Sequence, residues 1–226
     1  MKFFAIIAAA GDGRRIGQGN KLLLDLMGKP VLVHTLEIFQ KSVPIEKVVI
    51  AAPDKDIDNY WKLVADFNLS KVKEIVGGGN HRQDSIYSAL NVIDSADYIV
   101  IHDGARPLLN AEFLDKMIKS ISGAESLIAA VRVKDTIKKA GKEGIVKETL
   151  NREELLAIQT PQIFPAKILK EAHKKALTEV HYATDDSALV ERLGAIVKIF
   201  EGEEENIKIT TPEDIVIAEE ILKRRS

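Results

Sequence analysis

A three-layer α/β fold on a mostly parallel sheet is what this chain predicts, and three observations lead there. Short β-branched runs alternate with amphipathic segments, each run is almost continuously apolar, and several runs are followed by glycine-rich loops. Strand–helix alternation puts helices on both faces of a parallel sheet. Strands covered on both faces carry apolar residues at nearly every position instead of every second one.

The pattern predicts strands at Phe3–Ala9, Lys47–Ala52, Lys73–Val76, Tyr98–His102 and Ser126–Val131. Helical patterns lie between them at Val31–Gln40, Ile57–Phe67, Gln83–Val92 and Ala111–Ile121. The first helix follows Pro30, and proline suits a helix's first turn. The apolar start Phe3–Ala10 looks like a secretory leader only superficially. It is short, and its arginines follow instead of preceding it, so it reads as the first core strand.

After Val131 the rhythm changes. The stretch RVKDTIKKAGKEGIVKETLNREE is polar, lysine-rich and alternating, with a glycine-flanked turn at Gly141–Gly144. It predicts a β-hairpin with too little apolar surface for a core of its own. A solvated surface hairpin and an arm packed on a second subunit both fit. The α/β rhythm then resumes. Ala157–Phe164, Ile196–Phe200 and Asn206–Ile209 read as strands, Ala166–Leu177 as a helix, and Asp185–Leu193 as a short helix capped by Thr184. The chain closes on a helix capped by Thr211, with Pro212 at its first position, acids early and bases late. One domain over 1–226, with 132–156 as a projecting arm, is the simplest organisation.

Composition narrows the function. Among 226 residues, 46% are hydrophobic and 29% charged, as in ordinary soluble globular proteins. A net charge of −2 gives no support to nucleic-acid binding. The absence of cysteine excludes disulfides, thiolate metal sites and cysteine nucleophiles. No apolar stretch approaches the ~20 residues that span a bilayer. The expectation is a cytoplasmic protein with neither a membrane nor a nucleic-acid partner.

Ligands of open α/β sheets bind beyond the carboxyl ends of the strands, and four clusters fall at such places. The first three glycines of the loop Gly11–Lys21, at 11, 13 and 17, are one residue out of register with a dinucleotide fingerprint, and the loop lacks the Gly-Lys-Ser/Thr of a P-loop. It offers bare amides with Arg14, Arg15 and Lys21, a set suited to a di- or triphosphate. The loop GGGNHRQDS, Gly77–Ser85, permits close backbone approach to a flat base or ribose, with Ser85 either meeting the ligand or capping the helix. In VIHDGARP, Asp103 follows an apolar strand, where a carboxylate can meet Mg²⁺, with Arg106 three residues on. His102 beside it is expected to be structural. The fourth cluster is spread over Asp135–Thr136, Asn151–Arg152, QTPQ, TDDSAL and ENIKIT. There Lys208 and Arg152 read equally well as functional or as solvated surface cations.

Taken in order, AAAGDGRRIGQGNK, GGGNHRQDS, VIHDGARP, VKDT, NREELLAIQTPQIF, TDDSALVERLG and ENIKIT resemble the 2-C-methyl-D-erythritol 4-phosphate cytidylyltransferases over essentially the whole chain. They are also similar to the pentitol-phosphate cytidylyltransferases. The resemblance implies a Rossmann-like nucleotidyltransferase fold, and a reaction of CTP with a sugar-alcohol phosphate that gives a CDP-alcohol and pyrophosphate with Mg²⁺. Methylerythritol phosphate in non-mevalonate isoprenoid synthesis is the first expectation and ribitol 5-phosphate or another polyol phosphate the rival. By the same resemblance Ala9, Ala10, Gly11 and Gly13 wrap the nucleotide, and Arg15 and Lys21 stabilise the reacting α-phosphate. Gly78, Gly79 and Ser85 hold cytidine, Asp103 lies near the metal and Ala105 near the ribose. Thr136, Arg152 and Lys208, with Arg106, place the alcohol phosphate. Thr136 and Arg152 would reach the site from the other subunit of a homodimer, through the arm.

Overall fold

The computed structural model describes residues 1–11, 20–123 and 125–225. Its strands are β1 (Phe3–Ala8), β2 (Asp25–Leu26), β3 (Lys29–Pro30), β4 (Ile45–Ala52), β5 (Val72–Gly77), β6 (Tyr98–Asp103), β7 (Ser126–Arg132), β8 (Lys138–Ala140), β9 (Val146–Thr149), β10 (Leu156–Pro165) and β11 (Val197–Glu201). Its α-helices are α1 (Val31–Lys41), α2 (Ile57–Asp66), α3 (Arg82–Asn91), α4 (Ala111–Lys119), α5 (Ala166–Thr178), α6 (Asp186–Glu191) and α7 (Pro212–Arg225). No described helix is long and apolar enough to cross a membrane.

Seven strands form one sheet in the order β11-β7-β10-β6-β1-β4-β5. β10 runs antiparallel to both β6 and β7, while the other neighbouring pairs are parallel. β1 sits centrally because its side chains can be buried on both faces. Phe3, Ala5 and Ile7 join a core with Leu36 and Phe39 of α1, Leu114 and Met117 of α4, and Ala218 and Ile221 of α7. Phe4 and Ile6 point the other way and pack with Ile86 of α3, Leu169 of α5 and Leu189 of α6. This two-residue alternation is the strand period, and it makes the three layers. The apolar N-terminal run is thus a core strand.

The register decides where a ligand can sit. Ala8 pairs with Ala51 of β4 on one side and with Asp103 of β6 on the other. Next to β4, Ala52 pairs with Gly77. The carboxyl ends of β1, β4, β5 and β6 therefore finish level, with the chain reversing its direction across the sheet at β1. A crevice at that point is the usual ligand position of such sheets.

β8 and β9 pair only with each other, antiparallel, with Lys138 opposite Thr149. Every residue of both strands is exposed. Gly144 closes the turn at φ +77° and its amide donates to the Gly141 carbonyl at 3.1 Å, a left-handed conformation that favours glycine.

Two expectations need correction. Asn206–Ile209 joins no ladder. Its amide bonding is replaced by single ties: Ile209 N donates to Ala105 O at 2.8 Å, and the buried Asn206 side chain donates to Thr160 O at 2.8 Å and Gln159 Oε1 at 3.2 Å. The cap of α6 is Asp185, not Thr184: Asp185 Oδ1 accepts from Ala188 N at 3.1 Å, and its other oxygen takes Gln162 Nε2 and Ser187 Oγ. A carboxylate accepting these three bonds does more for the helix start than a hydroxyl one residue earlier.

Candidate active site

Beyond the carboxyl ends of β1 and β6 lies a cavity of about 590 Å³. Ala9, Ala10 and Gly11 form one wall. Ala9 N donates to Ala51 O at 2.8 Å and Gly78 N to Ala52 O at 2.7 Å, so sheet-like bonding continues past the strand ends. Gly78 lies flat against this wall. A Cβ there would stand 2.3 Å from Ala10 Cβ and 2.9 Å from Ser85 Oγ, which is why a glycine is needed. Ser85 is buried and bridges the loop, accepting from Gly79 N and donating to His81 O, both at 3.1 Å. Its hydroxyl fixes the loop that lines the cavity, and Ser85 itself also lines it.

Lys21 enters the cavity from a short 3-10 turn, Lys21–Leu23. Asn20 sets that turn. Its Oδ1 accepts from Leu22 N at 3.0 Å, and its amide donates to Asp56 Oδ2 at 2.8 Å and to Tyr60 Oη at 2.7 Å. Burial, relieved in part by the Asn20 bond, pushes the Tyr60 phenol well above its usual range, so it stays a donor, 3.4 Å from the Ala9 carbonyl. The Lys21 ammonium donates to Ile209 O at 2.8 Å. Lys21 and Lys208, far apart in the chain, thus line the same cavity.

Asp103 ends β6 at the cavity floor. Lys208 Nζ is 2.7 Å from its Oδ2, Arg82 Nε 3.4 Å from its Oδ1 and Arg106 Nε 3.7 Å from Oδ2. Burial alone would raise the Asp103 pKa; Arg82, Lys208 and Arg106 outweigh it and hold the carboxyl well below the usual carboxylate range. Arg106 Nη1 also donates to Asn206 O at 2.6 Å. It lies on the far side of Asp103, where a second cavity of about 630 Å³ shares Arg82, Asp103 and Lys208 with the first.

His102 is structural, as expected. Its Nε2 donates to the Arg106 carbonyl at 3.1 Å, and its Nδ1 accepts from Thr160 Oγ1 at 3.0 Å, which in turn accepts from Asp103 N at 3.0 Å. Burial pushes its pKa down from 6.5 to about 4. Between those values the unfolded chain binds more protons than the folded one, so stability falls as the pH is lowered through that window. We expect urea unfolding to show the wild type losing about 2 kcal/mol more than a His102→Gln variant between pH 7 and pH 5. Parallel pH dependence of the two proteins would refute this.

The remaining expected residues divide. Ala105 is buried at the cavity edge, with its carbonyl accepting from Ile209 N. Gly13 and Arg15 lie outside the described residues, as does Arg14. Thr136 and Arg152 are exposed and line neither cavity of their own chain; Arg152 Nη1 donates to Lys134 O at 3.3 Å.

Residues 3–224 match the 2-C-methyl-D-erythritol 4-phosphate cytidylyltransferase family. The chain belongs to this family. A cytidylyltransferase of that name from Dehalococcoides mccartyi is 44% identical over 223 residues, covering 99% of this chain and 97% of the relative. One from Bacillus velezensis is 42% identical, covering 100% and 98%. Among solved structures, a 4-diphosphocytidyl-2C-methyl-D-erythritol synthase from Anaerococcus prevotii superposes with a TM-score of 0.88 at 31% identity, covering 99% of both chains. The Thermus thermophilus 2-C-methyl-D-erythritol 4-phosphate cytidylyltransferase gives 0.80 at 29% identity, covering 97% and 98%.

The cavity has three supports that motif reading missed: Asn20, Tyr60 and Arg82. Arg82 stands inside the GGGNHRQDS loop, and its charge at a helix start is the available signal. Asn20 immediately precedes the lysine it orients. Tyr60 carried no signal, being one apolar position of an amphipathic helix.

Proposed function

We propose that this chain transfers CMP from CTP to 2-C-methyl-D-erythritol 4-phosphate, giving 4-diphosphocytidyl-2-C-methyl-D-erythritol and pyrophosphate in non-mevalonate isoprenoid synthesis. The observation that carries the reading is the gathering of Lys21, Lys208 and Arg82 around one cavity beside a glycine-lined wall, in a chain matched almost end to end by the family.

An oxygen of the alcohol phosphate attacks the α-phosphorus of CTP; the new P–O bond forms as the bond to pyrophosphate breaks. The nucleophile's second pKa is about 6, so near neutrality it is mostly a dianion and needs no general base. A histidine withdrawn into the core, as His102 is, accords with that. The barrier is repulsion between the dianion and the polyphosphate, which fixed cations offset while holding the groups in line. Lys21 and Arg15 act on the α-phosphate. Lys208, with Arg106 behind it, receives the incoming phosphate. Ala9, Ala10, Gly11 and Gly13 wrap the nucleotide, Gly78, Gly79 and Ser85 the cytidine, and Ala105 the ribose.

Asp103 is the carboxylate among the described residues lining the nucleotide cavity, and no group of three or more metal-binding side chains occurs among them. That donor set fits a Mg²⁺ drawing most of its ligands from substrate phosphates and water. Asp103 would hold the ion, which when bound neutralises charge on the phosphates.

The single-domain reading extends to the arm at 132–156, which we assign to a homodimer contact. Ile145 and Val146 at its tip are 64% and 56% exposed, and an isolated two-stranded hairpin is marginal without a packing partner. Thr136 and Arg152 then serve the partner's alcohol phosphate.

The test is pyrophosphate release with CTP, Mg²⁺ and a panel of sugar-alcohol phosphates. Turnover is expected to be highest with the methylerythritol phosphate. Turnover with ribitol 5-phosphate alone would move the substrate, and CTP binding without turnover would remove the activity.

A further inference from the structure

The TDDSAL segment contains two adjacent aspartates with different tasks. Asp185 does the local work of capping α6. Asp186 turns into the protein, where its side chain is 1% exposed. Its Oδ2 accepts from Arg82 Nη1 at 2.5 Å, and its Oδ1 faces His173 Nε2 at 3.0 Å. His173 comes from α5 and is equally buried. Its Nδ1 makes no hydrogen bond among the described residues. An ionised carboxylate only accepts, so the Nε2 proton points at Asp186. His173 therefore orients one Asp186 oxygen and leaves the other for Arg82.

Arg82 in turn stands between two carboxylates, Asp186 and Asp103, and forms part of the wall shared by both cavities. A buried ion pair is seldom worth more than apolar packing of the same volume, so stability alone gives little reason for this chain of charges. Its geometric consequence is specific. With Asp186 holding Nη1, Arg82 reaches Asp103 through Nε, at 3.4 Å, while Asp103 Oδ2 is met by Lys208 at 2.7 Å and more loosely by Arg106 Nε at 3.7 Å. Without the Asp186 charge, the guanidinium is free to take Asp103 in a two-bond fork, the geometry arginine prefers with carboxylates, and it then competes with Lys208.

We infer that Asp186, oriented by His173, is a positioning residue for the transfer reaction: it holds Arg82 away from full engagement with Asp103, so that the Asp103–Lys208 pair keeps the arrangement the alcohol phosphate meets. This rests on the function proposed above. The loop that holds the base is secured separately, through Ser85 and through Asp84, whose carboxylate accepts from His81 N at 3.0 Å. CTP binding is therefore largely independent of Asp186.

The experiment is a kinetic cycle with Asp186→Asn, Arg82→Gln and the double variant. Asp186→Asn is expected to lower kcat about 10–100-fold, the scale of lost outer-sphere orientation, with KM for CTP within about threefold. The double variant should be no slower than Arg82→Gln alone, because Asp186 acts through Arg82. Independent losses that multiply in the double variant, or wild-type kcat in Asp186→Asn, would overturn the inference. A second readout needs no turnover. Hydrogen exchange of the Arg82 Nε–H, followed by ¹⁵N NMR on the unliganded protein, should change at least about tenfold in Asp186→Asn, as the guanidinium repacks. Unchanged exchange would also overturn it. If the wild type turned over no alcohol phosphate, the proposed function would fall while this exchange measurement still decided the role of Asp186. Should Asp186→Asn not fold, His173→Phe is expected to shift kcat and exchange in the same direction by a smaller factor, and wild-type values of both would refute the role.

Discussion

Replacing Lys21 with alanine is expected to lower kcat by roughly 10²–10³-fold, the loss seen when one charge-stabilising donor is taken from a transition state. The ammonium donates to Ile209 O at 2.8 Å and lines the cavity proposed to hold the nucleotide. The backbone around it is held by Asn20, whose bonds to Asp56, Tyr60 and Leu22 N do not involve the Lys21 side chain. The substitution should therefore leave the turn intact and remove the charge together with its bond to Ile209 O. Negative charge on the α-phosphate oxygens grows towards the transition state, so the loss should appear in kcat more than in KM for CTP. Steady-state kinetics with saturating alcohol phosphate would measure it. Unchanged turnover would take Lys21 out of the mechanism.

The contrast between Lys21 and Arg82 shows what a sequence makes legible. Strand and helix positions follow from local apolar periodicity, and the sheet's core strands were placed to within a few residues because β1, β4 and β6 are apolar on both faces. Asp103, at the end of such a strand, could be placed at the carboxyl edge. Its partners could not. Arg82 meets Asp186 across 104 positions and Lys208 meets Asp103 across 105, and no local pattern carries a pairing over that distance. Asn206–Ile209 misled for the related reason that its alternating apolar residues suit a strand, whereas the buried Asn206 amide ties it down without a ladder. Arg106, assigned to the alcohol phosphate, sits between Asp103 and the Asn206 carbonyl and lines the second cavity, an arrangement its place three residues after Asp103 does not by itself reveal. Motifs identified which residue types were present, and tertiary ion pairs decided which of them met.

Two impaired variants should restore one another if the arm works across subunits. Arg152→Ala is expected to raise KM for the alcohol phosphate far more than for CTP, because Arg152 is assigned to the incoming phosphate alone. In the proposed homodimer each site uses Lys21 of one chain and Arg152 of the other. A heterodimer of Lys21→Ala and Arg152→Ala chains then carries both defects in one site and neither in the other. Random pairing makes half of the dimers mixed, so about a quarter of all sites regain wild-type character, as closed two-fold symmetry requires. Doubly tagged heterodimers, assayed at alcohol phosphate below the wild-type KM, should reach about half the wild-type rate. If Arg152 served its own chain's cavity instead, each chain would keep its own defect and no site would be whole. The exposed position of Arg152, lining neither cavity of its own chain, is what makes the first outcome expected. Heterodimers no faster than the mean of the two parent variants would detach the arm from catalysis.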